Sequence, residues 1–184
     1  RERASQMTVK LCSLSRMMFV LLAVLMTGGT AQAAPYVSPS GFTLTPPDWT
    51  RLNSNGAEAI FTAPPIHRFA ANINFVSSPA PRSSYVSVKT LFAELMAQTK
   101  SSYSQKFPHY KNLSESKTSV AGAPAVQLIS TIQVGKPMRM VQIHQVYALN
   151  NGQFHIFTLT SLPVNFAQND AAFAAMLRTV KWTK

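Results

Sequence analysis

Hydrophobic positions along this chain follow three patterns, and each predicts a different kind of element. Residues 17–26 (MMFVLLAVLM) form an unbroken apolar run. From residue 41 onward the pattern shortens and alternates. In 70–76, Ala71, Ile73 and Phe75 fall on one face and Asn72 and Asn74 on the other, as in a half-buried strand. Stretches at 41–44, 57–62, 114–120, 125–134, 138–149 and 153–161 also have strand character, and Asn151-Gly152 is a two-residue hairpin signal between the last two. A third pattern, with helical period, occupies 84–107. There Val88, Leu91, Phe92, Leu95 and Met96 share a side, Ser84 or Ser87 is the expected N-cap, and Pro108 stops the helix at Phe107. A last helix is predicted to open at Asn169 or Asp170, with Asp170 as a cap. Its Phe173, Met176, Leu177 and Val180 form an apolar stripe, and Arg178 and Lys181 suit the negative end of the dipole. Trp182 follows that stripe and is expected to pack the helix end against the sheet. Two helices and about seven strands predict an α+β fold, a mostly antiparallel sheet sandwiched by helices.

The apolar run is too short for a membrane span, which needs ~20 residues. Lys10 and Arg16 precede it, Gly28-Gly29 follow it, and Ala31-Gln32-Ala33 supplies a small-x-small cleavage pattern. Residues 1–33 are therefore expected to be an export signal, with 1–6 an upstream extension. Cleavage falls between Ala33 and Ala34, because one residue later Pro35 would follow the scissile bond. Residues 34–40 (APYVSPS) are predicted to be an extended linker, and 41–184 a single domain. The expected location is the periplasm or the extracellular space, with no transmembrane segment after cleavage. The one cysteine, Cys12, leaves with the signal and precedes the apolar run, which argues against a lipoprotein.

Charge changes the picture in one respect. Lys and Arg number 17 against 6 Asp and Glu, a net charge of +11, although charged residues are only 12% of the chain. The basic excess survives removal of 1–33 and draws anions. It is scattered instead of concentrated on one helix or loop, which argues against nucleic acid as a partner. Lys89, Lys100, Lys106 and Lys111, with His109 and against Glu94, make the first helix and its exit basic. Those four lysines are the candidate contact for an anionic surface such as lipid headgroups or wall polymers; the alternative is an ordinary solvated helix face.

No catalytic, cofactor or metal motif stands out. The glycines after the signal are Gly41, Gly56, Gly122, Gly135 and Gly152, each in a predicted turn, which leaves none for a phosphate-binding loop. Of His67, His109, His144 and His155, only the last two share a hairpin. The Asn151-Gly152 turn pairs His155 with Ala148 and His144 with Leu159, which separates the two rings by roughly 13 Å on one face. One zinc ion cannot bridge that gap, so hydrogen-bonded core or surface histidines are expected. The carboxylates Asp48, Glu58, Glu94, Glu115 and Asp170 show no paired arrangement, and no G-x-S-x-G elbow is present. No metal, cofactor or catalytic residue is therefore expected.

Several landmarks together resemble the PsbP-like superfamily, the fold of the extrinsic photosystem II protein and of exported bacterial DcrB-like proteins. They are Gly41-Phe42 with Pro46, Pro47 and Trp49; Phe61-x-x-Pro64; Gly122-x-Pro124-Ala125; Asn151-Gly152 leading to Phe157-x-Leu159-Thr160; and the closing Phe173-x-x-Met176-Leu177-x-x-Val180-x-Trp182. The resemblance spans 41–184 and implies a PsbP-like α/β/α sandwich that binds or assists other molecules without a shared catalytic set. The expected function is an exported, non-catalytic accessory or binding module whose partner is a protein or envelope component. The alternatives are a small-molecule-binding or weakly enzymatic exported domain, or a lumenal photosystem II-associated protein if the source is photosynthetic.

Overall fold

A computed structural model describes residues 34–54, 56–81, 87–107 and 109–183. The expected signal 1–33, with Ala31 and Ala33 of the cleavage pattern, lies outside the described residues, as does Ser84. Ala34 is exposed at their start. In chain order the strands are β1 (Tyr36–Val37), β2 (Phe42–Leu44), β3 (Thr50–Leu52), β4 (Ala59–Thr62) and β5 (Asn72–Pro79). Helix α1 (Val88–Lys106) comes next, then β6 (Lys111–Val120), β7 (Ala123–Val134), β8 (Arg139–Asn150) and β9 (Gln153–Ser161). A 3-10 turn (Pro163–Asn165), helix α2 (Phe166–Leu177) and β10 (Lys181–Trp182) complete the fold.

Seven strands form the main sheet in the order β3-β4-β5-β9-β8-β7-β6, and every neighbouring pair is antiparallel. Turn chemistry sets its register. Asn151 and Gly152 both take positive φ (48° and 71°), and the resulting two-residue turn pairs Asn150 with Gln153, Ala148 with His155 and His144 with Leu159. This is the pairing expected from the sequence. Ala121 and Gly122 repeat the device between β6 and β7. Because four antiparallel steps separate β5 from β6, the two run parallel, and α1 is the crossover that carries the chain over the intervening strands.

The sheet divides the core by side-chain parity. One face carries Phe75, Val146, Ala148, Phe157 and Leu159 and packs against Phe173 and Met176 of α2 and against the small sheet β1-β2-β10. The other carries Leu128, Tyr147, Phe154 and Ile156 beneath Phe92, Leu95 and Met96 of α1. Farther along α1, Tyr103 covers Ile132, Val141 and Ile143. Between these two patches lies a polar belt of Thr99, Ser130 and Gln145, all buried. Within it Gln145 Nε2 donates to Thr158 Oγ1 at 3.4 Å. Burial pushes the neighbouring Tyr103 phenol up to about 12 and raises Tyr147 well above its ordinary value.

Ser87 caps α1, accepting from the Thr90 amide, and the helix stops at Phe107 as expected. Three expectations change. Residues 34–40 are not simply a linker: Tyr36 is 4% exposed and its ring lies 5.6–6.1 Å from those of Phe42, Phe61 and Phe75. Helix α2 opens at Phe166, three residues before Asn169, because the 3-10 turn led by Pro163 feeds directly into it. Asp170 therefore sits inside the helix and is not a cap. At the other end α2 finishes at Leu177, so Trp182 belongs to β10 and pairs with Phe42 of β2.

Candidate functional site: a cleft beside the edge strand

Strand β6 ends the main sheet, and its polar sequence KNLSESKTSV is exposed at every position before Val120. Lysines and serines on an edge discourage pairing with another sheet. Helix α1 covers β7, β8 and β9 but stops short of β6, which leaves a cleft of about 510 Å³ between them. Phe92 and Met96 of α1 and Val126 of β7 form its apolar floor, and Lys89 and Lys117 stand among its walls. Lys117 is there through register: it pairs with Val126, and cross-strand partners share a face, here that of α1. Glu115 pairs with Leu128, faces the same way, and receives Lys100 Nζ at 2.7 Å. Both partners of this ion pair are about a third exposed, 36% and 35%. It therefore orients α1 against β6 more than it stabilises the fold.

The four lysines singled out from sequence do not form one surface. Lys89 lines the cleft, and Lys100 is engaged with Glu115. Lys106 lies in the last turn of α1, about 25 Å along the helix from Lys89 at 1.5 Å per residue. A register shift between Asn112 and Ser114 breaks the alternation, and Lys111, opposite Thr131, turns to the face away from α1. Lys117 is the cleft cation that sequence reading missed. Its strand has no apolar alternation, and only long-range pairing brings it beside α1.

The histidines fit the expectation of satisfied core and surface groups. His144, 7% exposed, has Nδ1 2.6 Å from Asp170 Oδ1 and Nε2 3.3 Å from Gln127 Oε1. This bond explains Asp170 better than capping does, since it locks α2 onto β8. His155 is 2% exposed, and its Nδ1 lies 2.9 Å from Ser77 Oγ. The Trp182 and Phe42 rings sit 4.9 and 5.6 Å from it, centroid to centroid. Burial lowers its pKa, and nearby Glu58 partly opposes the effect. A serine–histidine contact is part of a hydrolase triad, but a triad opens onto substrate, whereas this ring is sealed beneath aromatics. His67 and His109 are exposed and hold positive φ of 51° and 60°. Among the described residues, no three His, Cys, Asp or Glu side chains converge as metal ligands, and no helix is long and apolar enough to cross a membrane.

No protein-family model and no curated protein matches the sequence. Solved structures do match the fold. Cyanobacterial PsbP from Synechocystis is similar with a TM-score of 0.58 at 17% identity, over 88% of this chain and 98% of that one. PA94 from Pseudomonas aeruginosa, described as a protein of unknown function and putative regulator, has a TM-score of 0.55 at 19% identity, over 81% and 96%. LpqN of Mycobacterium tuberculosis, described as involved in cell envelope biogenesis, has a TM-score of 0.54 at 18% identity, over 84% and 87%. At such identities only the architecture is shared: this chain has a PsbP-like fold.

Proposed function

We propose that this chain is an exported, non-catalytic binding module of the cell envelope, and that it holds an anionic ligand with an apolar portion in the cleft between α1 and β6. The observation that carries this reading is the composition of that cleft. An apolar floor of Phe92, Met96 and Val126 meets Lys89 and Lys117, and the one carboxylate among its walls, Glu115, is already bonded to Lys100. An apolar floor with a few fixed polar groups is the usual form of a ligand site, and here the polar groups select negative charge. The signal-like segment 1–33 and the structural likeness to an envelope protein support an extracytoplasmic setting. A non-catalytic role accords with the enclosed His155 and with His144 serving as a tie between β8 and α2.

A titration with 1-anilinonaphthalene-8-sulfonate, an anionic aromatic probe, tests the reading. Ala93→Trp should fill the cleft, and the pair Lys89→Glu with Lys117→Glu should invert its charge. Each variant should weaken probe binding by about ten-fold, the equivalent of ~1.4 kcal/mol, while its melting temperature stays near that of the parent. Probe binding unchanged in both variants would remove the cleft as the site.

A further inference from the structure

Seven large apolar side chains stand exposed among the described residues, and four of them, Ile66, Met138, Met140 and Val164, come from three segments at one end of the main sheet. Of these four, Val164 and Met138 protrude most, at 75% and 54% exposure. The segments are the turn 66–69 before β5, the β7–β8 turn with the first residues of β8, and the 3-10 turn after β9. Register places the start of β5, the end of β9 and the start of β8 together, through Asn72↔Thr160 and Gln142↔Ser161. Arg139 Nη1 donates to the His67 carbonyl at 2.8 Å, which joins the first two segments. A pocket of about 210 Å³, lined by Ile66 and Phe69 on one side and Leu162 and Asn165 on the other, joins the first to the third. The cleft beside β6 lies at the opposite end of β7, near Pro124 and Val126.

Two features set this tip apart. The charge of its three segments has one sign: Arg68, Lys136 and Arg139 lie on them, and residues 66–69, 135–140 and 162–165 contain no Asp or Glu. Its turn 66–69 is also held in an uncommon conformation. His67 and Arg68 both take positive φ, 51° and 60°, without glycine, while Ile66 and Phe69 exchange backbone hydrogen bonds and Arg139 pins the turn from β8. The consequence is a projecting apolar residue, Ile66, directly beside His67 and Arg68.

We propose that this tip docks peripherally on an anionic lipid surface, with Ile66, Met138 and Val164 entering the boundary between headgroups and acyl chains and Arg68 and Lys136 meeting lipid phosphates. Interfacial binding of this kind grows with buried apolar area and with attraction to anionic lipid. A protein partner fits less well. Protein interfaces are continuous, closely complementary patches, whereas these side chains project singly from three loops. The inference is independent of the cleft ligand, because the two sites lie at opposite ends of the sheet.

The test is made in the full chain with Cys12→Ser, so that a single introduced cysteine carries an environment-sensitive NBD fluorophore. On phosphatidylglycerol vesicles the label at Val164→Cys should shift to the blue and brighten. On phosphatidylcholine vesicles it should not, and added salt should reverse the response. A label at Ala97→Cys, on the exposed side of α1, should stay in water on both. Arg68→Glu with Lys136→Glu should raise the lipid concentration needed for half-response by at least roughly five-fold per residue, with an unchanged circular-dichroism melt. An unresponsive label at Val164→Cys overturns the proposal and leaves the tip to a protein partner. An equal response on phosphatidylcholine also overturns it. So does a label at Ala97→Cys that responds as strongly, which would put residues 17–26 or α1 against the bilayer.

Discussion

Replacing Trp182 with alanine tests the packing of the small sheet on the large one. Trp182 is only partly buried, but its partners are not: its ring lies 6.1 Å from that of Phe42 and 4.9 Å from that of His155, which are 0% and 2% exposed. Its Nε1 donates to the Val120 carbonyl at 3.1 Å, so the side chain fastens β10 to the end of β6. Truncating a fully buried Trp to Ala costs about 3–5 kcal/mol. Partial exposure brings the apolar share here to ~2 kcal/mol, and the lost hydrogen bond adds ~1 kcal/mol. Trp182→Ala is therefore expected to destabilise by ~3 kcal/mol, against the ~5–15 kcal/mol that holds a domain folded. In a domain of this size that lowers Tm by roughly 6–12 °C. Urea unfolding followed by circular dichroism measures the change, and Trp182→Phe separates its parts. The phenylalanine keeps most of the ring contact and loses the N–H, so it should lose ~1 kcal/mol. A Trp182→Ala effect below ~1 kcal/mol, with no change in the urea dependence, would refute the reasoning and make the Phe42–His155 contact self-sufficient.

Other consequences are as direct. Burial lowers the pKa of His155 below its unfolded value of ~6.5, so its contribution to stability is full above that pH and is lost as pH falls and the unfolded chain takes up the proton first. The melting temperature of the parent should accordingly drop more steeply below pH ~6.5 than that of His155→Gln, and parallel slopes would assign the pH dependence to other groups. N-terminal sequencing of the exported protein should begin at Ala34; a chain that keeps residues 17–26 would be anchored instead of processed.

Sequence patterning captured the elements whose instructions are local. The β8–β9 register follows from Asn151-Gly152 alone, since a two-residue turn with positive φ leaves one pairing for every residue behind it. Helix α1 was legible for the same reason: Ser87, the stripe from Val88 to Met96 and Pro108 are all within reach of one another along the chain. Strands β1, β3 and β10 were not, because β1 and β10 have two residues each and β3, Thr50-Arg51-Leu52, lacks the apolar-polar-apolar order that marks the equally short β2. Trp182 shows the effect most clearly. Val180 continues the helical stripe of Phe173, Met176 and Leu177, whereas Trp182, nine residues after Phe173, would fall on the opposite side of a continued helix; the chain instead leaves the helix at Leu177 and brings Trp182 to the same apolar face from a strand. For Val180 alone, burial does not distinguish the two routes. The cleft was legible in part. Lys89 was visible on its helix, whereas Lys117 depends on a pairing nine residues away and Lys111 on a bulge that reverses its direction.

The electrostatics of this molecule rest on scarce acids more than on abundant bases. Five carboxylates follow Ala34, and three have structural partners: Glu58 accepts from Ser38, Glu115 from Lys100, and Asp170 meets His144. Each thereby joins two elements, β1 to the start of β4, β6 to α1, and β8 to α2. With so much of its negative charge committed to joining elements, the molecule needs no dense lysine cluster to attract anions; modest groups of cations are enough on surfaces whose carboxylates are absent or already paired. That explains why the scattered basic residues of the sequence conveyed so little about location. Both the Lys89–Lys117 cleft and the Arg68–Lys136–Arg139 tip are assembled from segments far apart in the chain, and each gains its character from the neutral residues around it.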